Sequence, residues 1–167
     1  GYPAQSEIYY GGSIASWCNI TGLYYLMADG SYTQQRMLSL GGAALSENLV
    51  IPDDITSISS YAFAYTGITS LTIPDSVTAV GDGAFARCGQ IATATVPALA
   101  LGAMDKTNLV TVTITSGDIA ANAFNNCKSL ESVTLFEGVT NSAGNAFGNC
   151  TSVTTVTAPA YAASFLP

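Results

Sequence analysis

The sequence contains no histidine. This absence excludes Ser-His-Asp and Cys-His catalysis, zinc sites with histidine ligands, and acid–base chemistry by imidazole. Cysteine is scarce as well, because Cys18, Cys88, Cys127 and Cys150 are the only four, and no two of them form a C-x-x-C pair. A thiolate zinc site or a thioredoxin-like redox site is therefore not expected.

Charged residues and long apolar runs are also few. Charged residues make up 9% of the 167 residues, and 11 acidic side chains outnumber 4 basic ones. The net charge of −7 disfavours binding to nucleic acid or to an anionic membrane surface. No apolar run reaches about 18 residues, so we expect no membrane insertion. The chain starts at Gly1 and not at Met, which indicates a processed or engineered start, such as removal of a signal peptide would leave.

Apolar residues are abundant, at 49% of the chain, which is enough for one domain with a continuous core. Similar segments recur along the chain with a period of about 20 to 23 residues, which lies inside the range of leucine-rich repeats. The clearest are LTIPDSVTAVGDGAFARCGQI at 71–91, VTITSGDIAANAFNNCKSL at 112–130 and VTLFEGVTNSAGNAFGNCTSV at 133–153.

This recurrence predicts three regions. Residues 48–158 are expected to form five repeats, residues 1–47 an atypical aromatic-rich N-terminal cap or an interrupted repeat, and residues 159–167 a C-terminal tail. We interpret the aromatic residues of the cap as closing the open end of the repeats, with an exposed patch for a partner or a sugar as the alternative. These residues are Tyr9, Tyr10, Trp17, Tyr24, Tyr25 and Tyr32.

Each repeat opens with a short alternating segment that predicts a β-strand with its outer two residues inward and its middle residue outward. Pro52, Pro74 and Pro97 directly follow the first three of these segments, so pairing should stop there and the sheet should be narrow. The predicted strands are Leu49-Val50-Ile51, Leu71-Thr72-Ile73, Ala94-Thr95-Val96, Val112-Thr113-Ile114, Val133-Thr134-Leu135 and, as a sixth, Val156-Thr157-Ala158.

An Ala-Phe pair later in each repeat predicts an inward aromatic row. The row consists of Phe63, Phe85, Phe124 and Phe147, with Met104 in the third repeat. In three repeats a cysteine follows the phenylalanine by three residues, and the two repeats without this cysteine are one residue shorter at that turn. We interpret the cysteine as a small buried group whose site closes up when the turn is shortened.

Disulfides are not expected between these cysteines. Cys127 and Cys150 would occupy neighbouring repeats, about 4.8 Å apart, but parallel Cβ vectors would keep the Cβ atoms near that separation instead of the required ~3.8 Å. Cys88 would lie two repeats from Cys127, roughly 10 Å away. We therefore predict four free thiols.

The pattern L-x-I-P-D-S-V-T-x-[IV]-G-x-x-A-F-x-x-C, from Leu71 to Cys88, resembles the BspA-type leucine-rich repeat of bacterial cell-surface proteins. The resemblance covers 49–158 and is weakest at 97–109, where PALALGAMDKTNL lacks both Phe and Cys. The segment Tyr9 to Ile20, Y-Y-x-G-S-x-x-W-C-x-I, also resembles one found between repeats in that family, as expected of a piece of a longer protein.

This resemblance implies an α/β repeat fold, a right-handed leucine-rich-repeat solenoid with a parallel β-sheet on one face and short helical or irregular turns. It also implies an extracellular or cell-surface location, because family members are secreted or surface-exposed. Some of them act as adhesins for host matrix or plasma proteins or for other bacteria. The partner implied here is a protein, such as a host matrix protein or another cell-surface protein.

The outward strand positions show the pattern [ST]-x-[ST] in every repeat, which makes them the candidate binding face. Three interpretations stay open: a solvated face with cross-strand hydroxyl bonding, a protein-binding surface, and an ice-binding surface, which curvature and interruptions at Ala92, Val110 and Glu131 disfavour. The candidate residues are Ser70, Thr72, Thr93, Thr95, Thr111, Thr113, Ser132, Thr134, Thr155 and Thr157.

No pattern points to catalysis, a cofactor or a metal. The aspartates at 53, 54, 75, 82 and 118 lie beside Pro or Gly and are explained as turn formers, and no D-x-[DN]-x-[DN]-G calcium loop or glycine-rich phosphate loop is present. We therefore predict a non-enzymatic repeat domain that makes protein or adhesive contacts through its strand face. A rigid structural spacer within a larger bacterial surface protein is the alternative.

Overall fold

The structure, a computed structural model, describes residues 7–27 and 35–160. Tyr32 of the predicted cap and residues 161–167 of the predicted tail therefore lie outside the described residues. The first part of the chain forms a three-stranded sheet in the order β1-β2-β3 and two short helices. These elements are β1 (Glu7–Tyr10), α1 (Ile14–Cys18), α2 (Tyr24–Met27), β2 (Met37–Leu40) and β3 (Ala43–Ala44).

A six-stranded parallel sheet follows, in the order β11-β10-β9-β8-β6-β4. Its register pairs Leu49 with Leu71, then Ala94, Val112, Val133 and Val156 in succession, so each repeat contributes one strand. A smaller sheet pairs β5 with β7. These strands are β4 (Asn48–Val50), β5 (Ser57–Ile58), β6 (Ser70–Thr72), β7 (Ala79–Val80), β8 (Thr93–Val96), β9 (Thr111–Ser116), β10 (Ser132–Gly138) and β11 (Thr155–Thr157).

The predicted repeat register is confirmed, and the chain forms a solenoid of five turns and a sixth strand. The prediction that the whole sheet is narrow is wrong for two strands, because β9 has 6 residues and β10 has 7. Thr115 and Phe136 stand where the first three repeats have proline, and they keep the backbone donor that pairing requires. The sheet is consequently wider at its fourth and fifth strands.

The core contains the predicted aromatic row. Phe63 and Phe85 stack with ring centroids 5.5 Å apart, and Phe124 and Phe147 stack with ring centroids 4.9 Å apart. Met104 lies between the two pairs, and its backbone forms a β-bridge with that of Phe85. The turns that carry these rings need residues of positive φ two places before and two places after the phenylalanine, where side chains are strained unless they are Gly or Asn. The chain has these residues at Tyr61, Tyr65, Gly83, Arg87, Asn122, Asn126, Asn145 and Asn149.

The expectation that the cysteine site closes up in the first repeat is wrong. Thr66 occupies the position three residues after Phe63, is only 2% exposed, and donates from Oγ1 to the Phe63 carbonyl at 2.7 Å. The Cys88 thiol donates to the same carbonyl at 3.0 Å. Thr66 therefore fills the position that cysteine holds in other repeats, but its hydroxyl bonds to the carbonyl of its own repeat, whereas the Cys88 thiol bonds to that of the preceding repeat.

The last repeat is less buried than predicted. Val156, at a position that is at most 2% exposed from Leu49 through Val133, is 40% exposed, and Phe147 and Val153 are only half-buried. Among the described residues β11 pairs on one side only, with β10. The inward positions of the sixth strand are therefore open because no described repeat stacks on them.

The prediction that the aromatic rings of the N-terminal region close the end of the repeats is partly wrong. Trp17 is buried and donates from Nε1 to the Ala62 carbonyl at 2.7 Å, and Tyr10 packs against it at 5.3 Å. Tyr9 and Tyr25 are instead 73% and 81% exposed. Tyr24 also contacts the first repeat, with its ring centroid 4.9 Å from that of Tyr61. The end is therefore closed by some of the predicted rings, while Tyr9 and Tyr25 stay in water.

Candidate binding face

The ten predicted hydroxyl residues lie side by side on the outer face of the six-stranded sheet. The strand register brings them into two continuous columns, here called the polar ladder. Neighbours within a column are about 4.8 Å apart, the spacing of paired strands. One column is Ser70, Thr93, Thr111, Ser132 and Thr155, and the other is Thr72, Thr95, Thr113, Thr134 and Thr157.

The hydroxyls of the polar ladder are open to solvent. Thr93, Thr155 and Thr157 are exposed and the other seven residues are half-buried. No ladder hydroxyl is hydrogen-bonded to another described residue, so the cross-strand hydroxyl bonding considered for this face is not seen among them. In the first strand the two columns continue as Asn48 and Val50, and Val50 is 59% exposed.

An open cleft borders the ladder where the fourth and fifth strands run past their neighbours. It has a volume of about 580 Å³ and is lined by Phe136 and Glu137 from β10, by Asp75 from the turn after β6, and by the ladder residues Thr134 and Thr157. Phe136 is 53% exposed. We call it the Phe136 cleft.

The sequence interpretation missed Phe136. The signal was present, because Phe136 directly follows the inward Leu135 and therefore occupies an outward position that proline fills at 52, 74, 97 and 159. A large apolar side chain in an outward position of an otherwise polar face is an informative exception.

Asp75 also does more than form a turn. Its Oδ1 atom accepts hydrogen bonds from Thr115 Oγ1 at 2.7 Å and from Ser116 Oγ at 2.6 Å. The contact passes over the third repeat, where only 18 residues separate Ala94 from Val112 and a 3₁₀ helix (Ala98–Ala103) directly follows β8 and Pro97. The short repeat leaves room for the second and fourth repeats to touch.

Acidic groups are concentrated where the strands end. Asp53, Asp54, Asp75 and Asp118 follow the carboxyl end of a strand, and Glu137 is the second-last residue of β10. Asp118 accepts from Thr140 Oγ1 at 2.5 Å, so it too contacts the next repeat. Within the ranges 7–27 and 35–160, no three Asp, Glu, Cys or His side chains are grouped closely enough to hold a metal ion.

All four cysteines are free, as predicted. Burial raises the pKa of Cys18 to about 12 and that of Cys88 to about 11, from an ordinary value of 9.0. The pKa values of Cys127 and Cys150 are also raised, in both cases mainly by burial. Raised pKa values keep these thiols protonated at neutral pH, so they are packing groups and not nucleophiles.

A parallel sheet of one strand per turn, an inward aromatic row and turns of about 20 residues define a leucine-rich-repeat solenoid. The sequence profile described as the BspA type leucine rich repeat region matches residues 42–104 and 102–165, in six copies. Because these matches cover more than half of the chain, the chain belongs to the BspA-type leucine-rich repeat family, repeat proteins of bacterial surfaces.

Solved structures show the same fold. A leucine rich cell surface protein from Faecalibacterium prausnitzii A2-165 is 27% identical over 74% of this chain, with a TM-score of 0.51. A leucine-rich repeat protein from Eubacterium ventriosum ATCC 27560 is 17% identical over 94% of this chain, with a TM-score of 0.52. The chain spans 33% and 55% of the lengths of these two proteins.

The family and these structural relatives are described as leucine-rich repeat proteins. Among curated proteins none matches the chain. No helix in the described ranges is both long enough and apolar enough to cross a membrane.

Proposed function

We propose that this chain is a non-enzymatic binding module displayed on a bacterial surface or secreted, and that its polar ladder contacts a protein partner. The supporting observation is that two columns of hydroxyls run in register across five strands and bond to no described residue. A partner can hydrogen-bond to them without breaking any bond inside the protein.

Two further observations support this proposal. Repeat solenoids commonly bind partners through an extended face of this kind. The Faecalibacterium prausnitzii relative is a cell surface protein, which supports an extracellular location for this chain. Host matrix proteins and other cell-surface proteins are the partners that such a location would offer.

Surface plasmon resonance against immobilised host matrix and plasma proteins tests the proposal. We expect saturable binding to at least one of them, and a loss of at least tenfold in affinity for Thr95→Lys/Thr113→Lys, because two ammonium groups on the ladder would block close approach. Ala121→Lys is the matched control, since Ala121 is exposed on a turn outside the ladder.

Two results would contradict the proposal. One is equal binding by the wild-type protein and by the double ladder variant. The other is no binding to any protein of the panel. The second result, together with flanking gene sequence that encodes further repeats and a wall anchor, would favour the rigid spacer, a role compatible with the longer chains of both structural relatives.

A further inference from the structure

We propose that the Phe136 cleft receives an arginine side chain from an extended segment of the protein partner. This inference rests on the proposed function, because it specifies where on the strand face the partner is anchored and by what chemistry. Three features of the cleft favour arginine: its aromatic wall, its carboxylates, and the distribution of charge along the sheet edge.

The aromatic wall is Phe136. More than half of this side chain, 53%, is open to solvent, although it lies in the middle of a sheet edge where proline stands in four other strands. When a partner covers an exposed phenylalanine, apolar surface is removed from water, and this burial favours binding. A guanidinium group stacked on such a ring is held by a cation–π interaction.

The Asp75 carboxylate, which also lines the cleft, is held in a fixed position. Both hydroxyl donors, from Thr115 and Ser116, bond to Oδ1 of Asp75, and Oδ2 accepts no hydrogen bond from a described residue. One oxygen therefore fixes the side chain while the other stays available to a ligand. A group already held in place loses less conformational entropy when it binds. Glu137 brings a second carboxylate to the same cleft.

The charge around the cleft is of one sign. Asp75 and Glu137 line the cleft, whereas the four basic residues of the chain, Arg36, Arg87, Lys106 and Lys128, all lie outside its lining. None of these basic side chains lines the cleft, and its carboxylates attract a cationic partner. The occupant that complements this edge is therefore basic.

Arginine fits the cleft better than lysine. Its planar guanidinium can stack on Phe136 and at the same time direct an N–H donor at Oδ2 of Asp75, whereas the ammonium of lysine is a point charge without a planar face. The hydroxyls of Thr134 and Thr157, paired neighbours on β10 and β11, border the cleft and can bond to the backbone beside the arginine. An extended segment suits this arrangement, because Thr134 and Phe136 are successive outward residues of β10, about 6.6 Å apart, the spacing at which an extended chain repeats its side chains.

The test uses NMR titration of the full isotope-labelled chain with seven-residue acetylated peptides that have threonine everywhere except at the centre. The central residue is arginine, lysine or citrulline, which keeps the shape of arginine but not its charge. We expect the arginine peptide to shift the amide signals of Phe136, Glu137 and Gly138 saturably, and to bind at least fivefold more tightly than the citrulline peptide. Raising the salt from about 50 to 500 mM should weaken binding.

Variants separate the cleft from general attraction to an acidic protein. We expect Phe136→Ala and Glu137→Gln each to weaken arginine-peptide binding about fivefold or more. Both side chains are exposed, so the fold should be retained. The controls Val50→Ala and Asp53→Asn, also exposed along the same face and edge but outside the cleft, should bind as the wild type does.

Equal affinity for the arginine and citrulline peptides would overturn the inference, as would unchanged binding by Phe136→Ala. Equal affinity for the lysine and arginine peptides would overturn the choice of arginine. If the protein panel shows binding that Thr95→Lys/Thr113→Lys abolishes, while the arginine peptide does not bind, only the cleft inference fails and the proposed function stands.

Discussion

The Asp75 carboxylate accepts a hydrogen bond from Ser116 Oγ at 2.6 Å, across 41 residues of sequence. A repeat in a solenoid normally contacts only its immediate neighbours. Here the second and fourth repeats touch because the third is short. Asp75 therefore links repeats that would otherwise be coupled only through the one between them.

Asp75→Ala should lower the free energy of unfolding by about 1 kcal/mol, because two partly exposed hydroxyls lose a charged acceptor. Chemical denaturation measures the loss. The control Asp53→Ala, at an exposed aspartate without a hydrogen bond among the described residues, should change stability by less than about 0.5 kcal/mol. A double-mutant cycle with Ser116→Ala should show coupling, and strict additivity would contradict the link.

Phe124→Ala should cost about 3 to 5 kcal/mol, because this ring is fully buried and its loss leaves a cavity within the aromatic row. Phe147→Ala should cost roughly half as much, since Phe147 stacks on the same ring but is only half-buried. Urea denaturation compares the two variants. A melting temperature unchanged by Phe124→Ala would refute the packing of the row.

Asn126→Ala should destabilise the protein by about 1 kcal/mol, because Asn126 has a φ of 63° and alanine tolerates left-handed backbone poorly. Asn126→Gly should be close to neutral, since glycine adopts this conformation without strain. Thermal unfolding of both variants separates backbone strain from loss of the side chain. Equal destabilisation by alanine and by glycine would show that the side chain and not the backbone matters.

Stability should fall in alkaline solution as the buried thiols are forced to ionise. Burial raises the pKa of Cys88 from 9.0 to about 11, so the folded state keeps a proton that the unfolded state releases. The stability that the protonated Cys88 thiol contributes is complete below pH 9 and is lost as the pH rises through about 11. By this linkage, Cys88 accounts for about 2 kcal/mol of the loss between pH 8 and pH 10.5.

Cys88→Ala isolates that contribution, because tyrosine ionisation is common to both proteins. The difference in unfolding free energy between pH 8 and pH 10.5 should be about 2 kcal/mol smaller in the variant than in the wild type. Urea titrations at the two pH values measure it. An identical alkaline loss in both proteins would show that the Cys88 thiol ionises as freely in the folded as in the unfolded state.

The repeat period could be predicted well because it depends on local alternation. An inward Leu71 and Ile73 flanking an outward Thr72 is already visible in the sequence, and strand pairing repeats this arrangement in the next turn. The same alternation placed all ten ladder residues. Phe136 obeys it too, because it directly follows the inward Leu135.

Other features depended on contacts between distant residues. The burial of Thr66 could not be predicted from turn length, because it depends on a hydrogen bond to the Phe63 carbonyl, to which Cys88 of the next repeat also donates. The exposure of Tyr9 and Tyr25 likewise depends on which rings reach the first repeat, and only Trp17 extends a donor to Ala62.

The solenoid, its register and the outward hydroxyls can be derived from the sequence, because a fixed period and a two-residue alternation dictate which side chains enter a shared core. The contact of Asp75 with Thr115 and Ser116 past a short repeat is visible only in the folded chain, as is the cleft that it lines with Phe136 and Glu137. Asp75 lies 40 positions from Thr115 and 41 from Ser116 in the sequence. The distance between their side chains depends on how far each turn projects from the stack of repeats. Local pattern carries no information on that projection, because it results from the packing of every intervening turn.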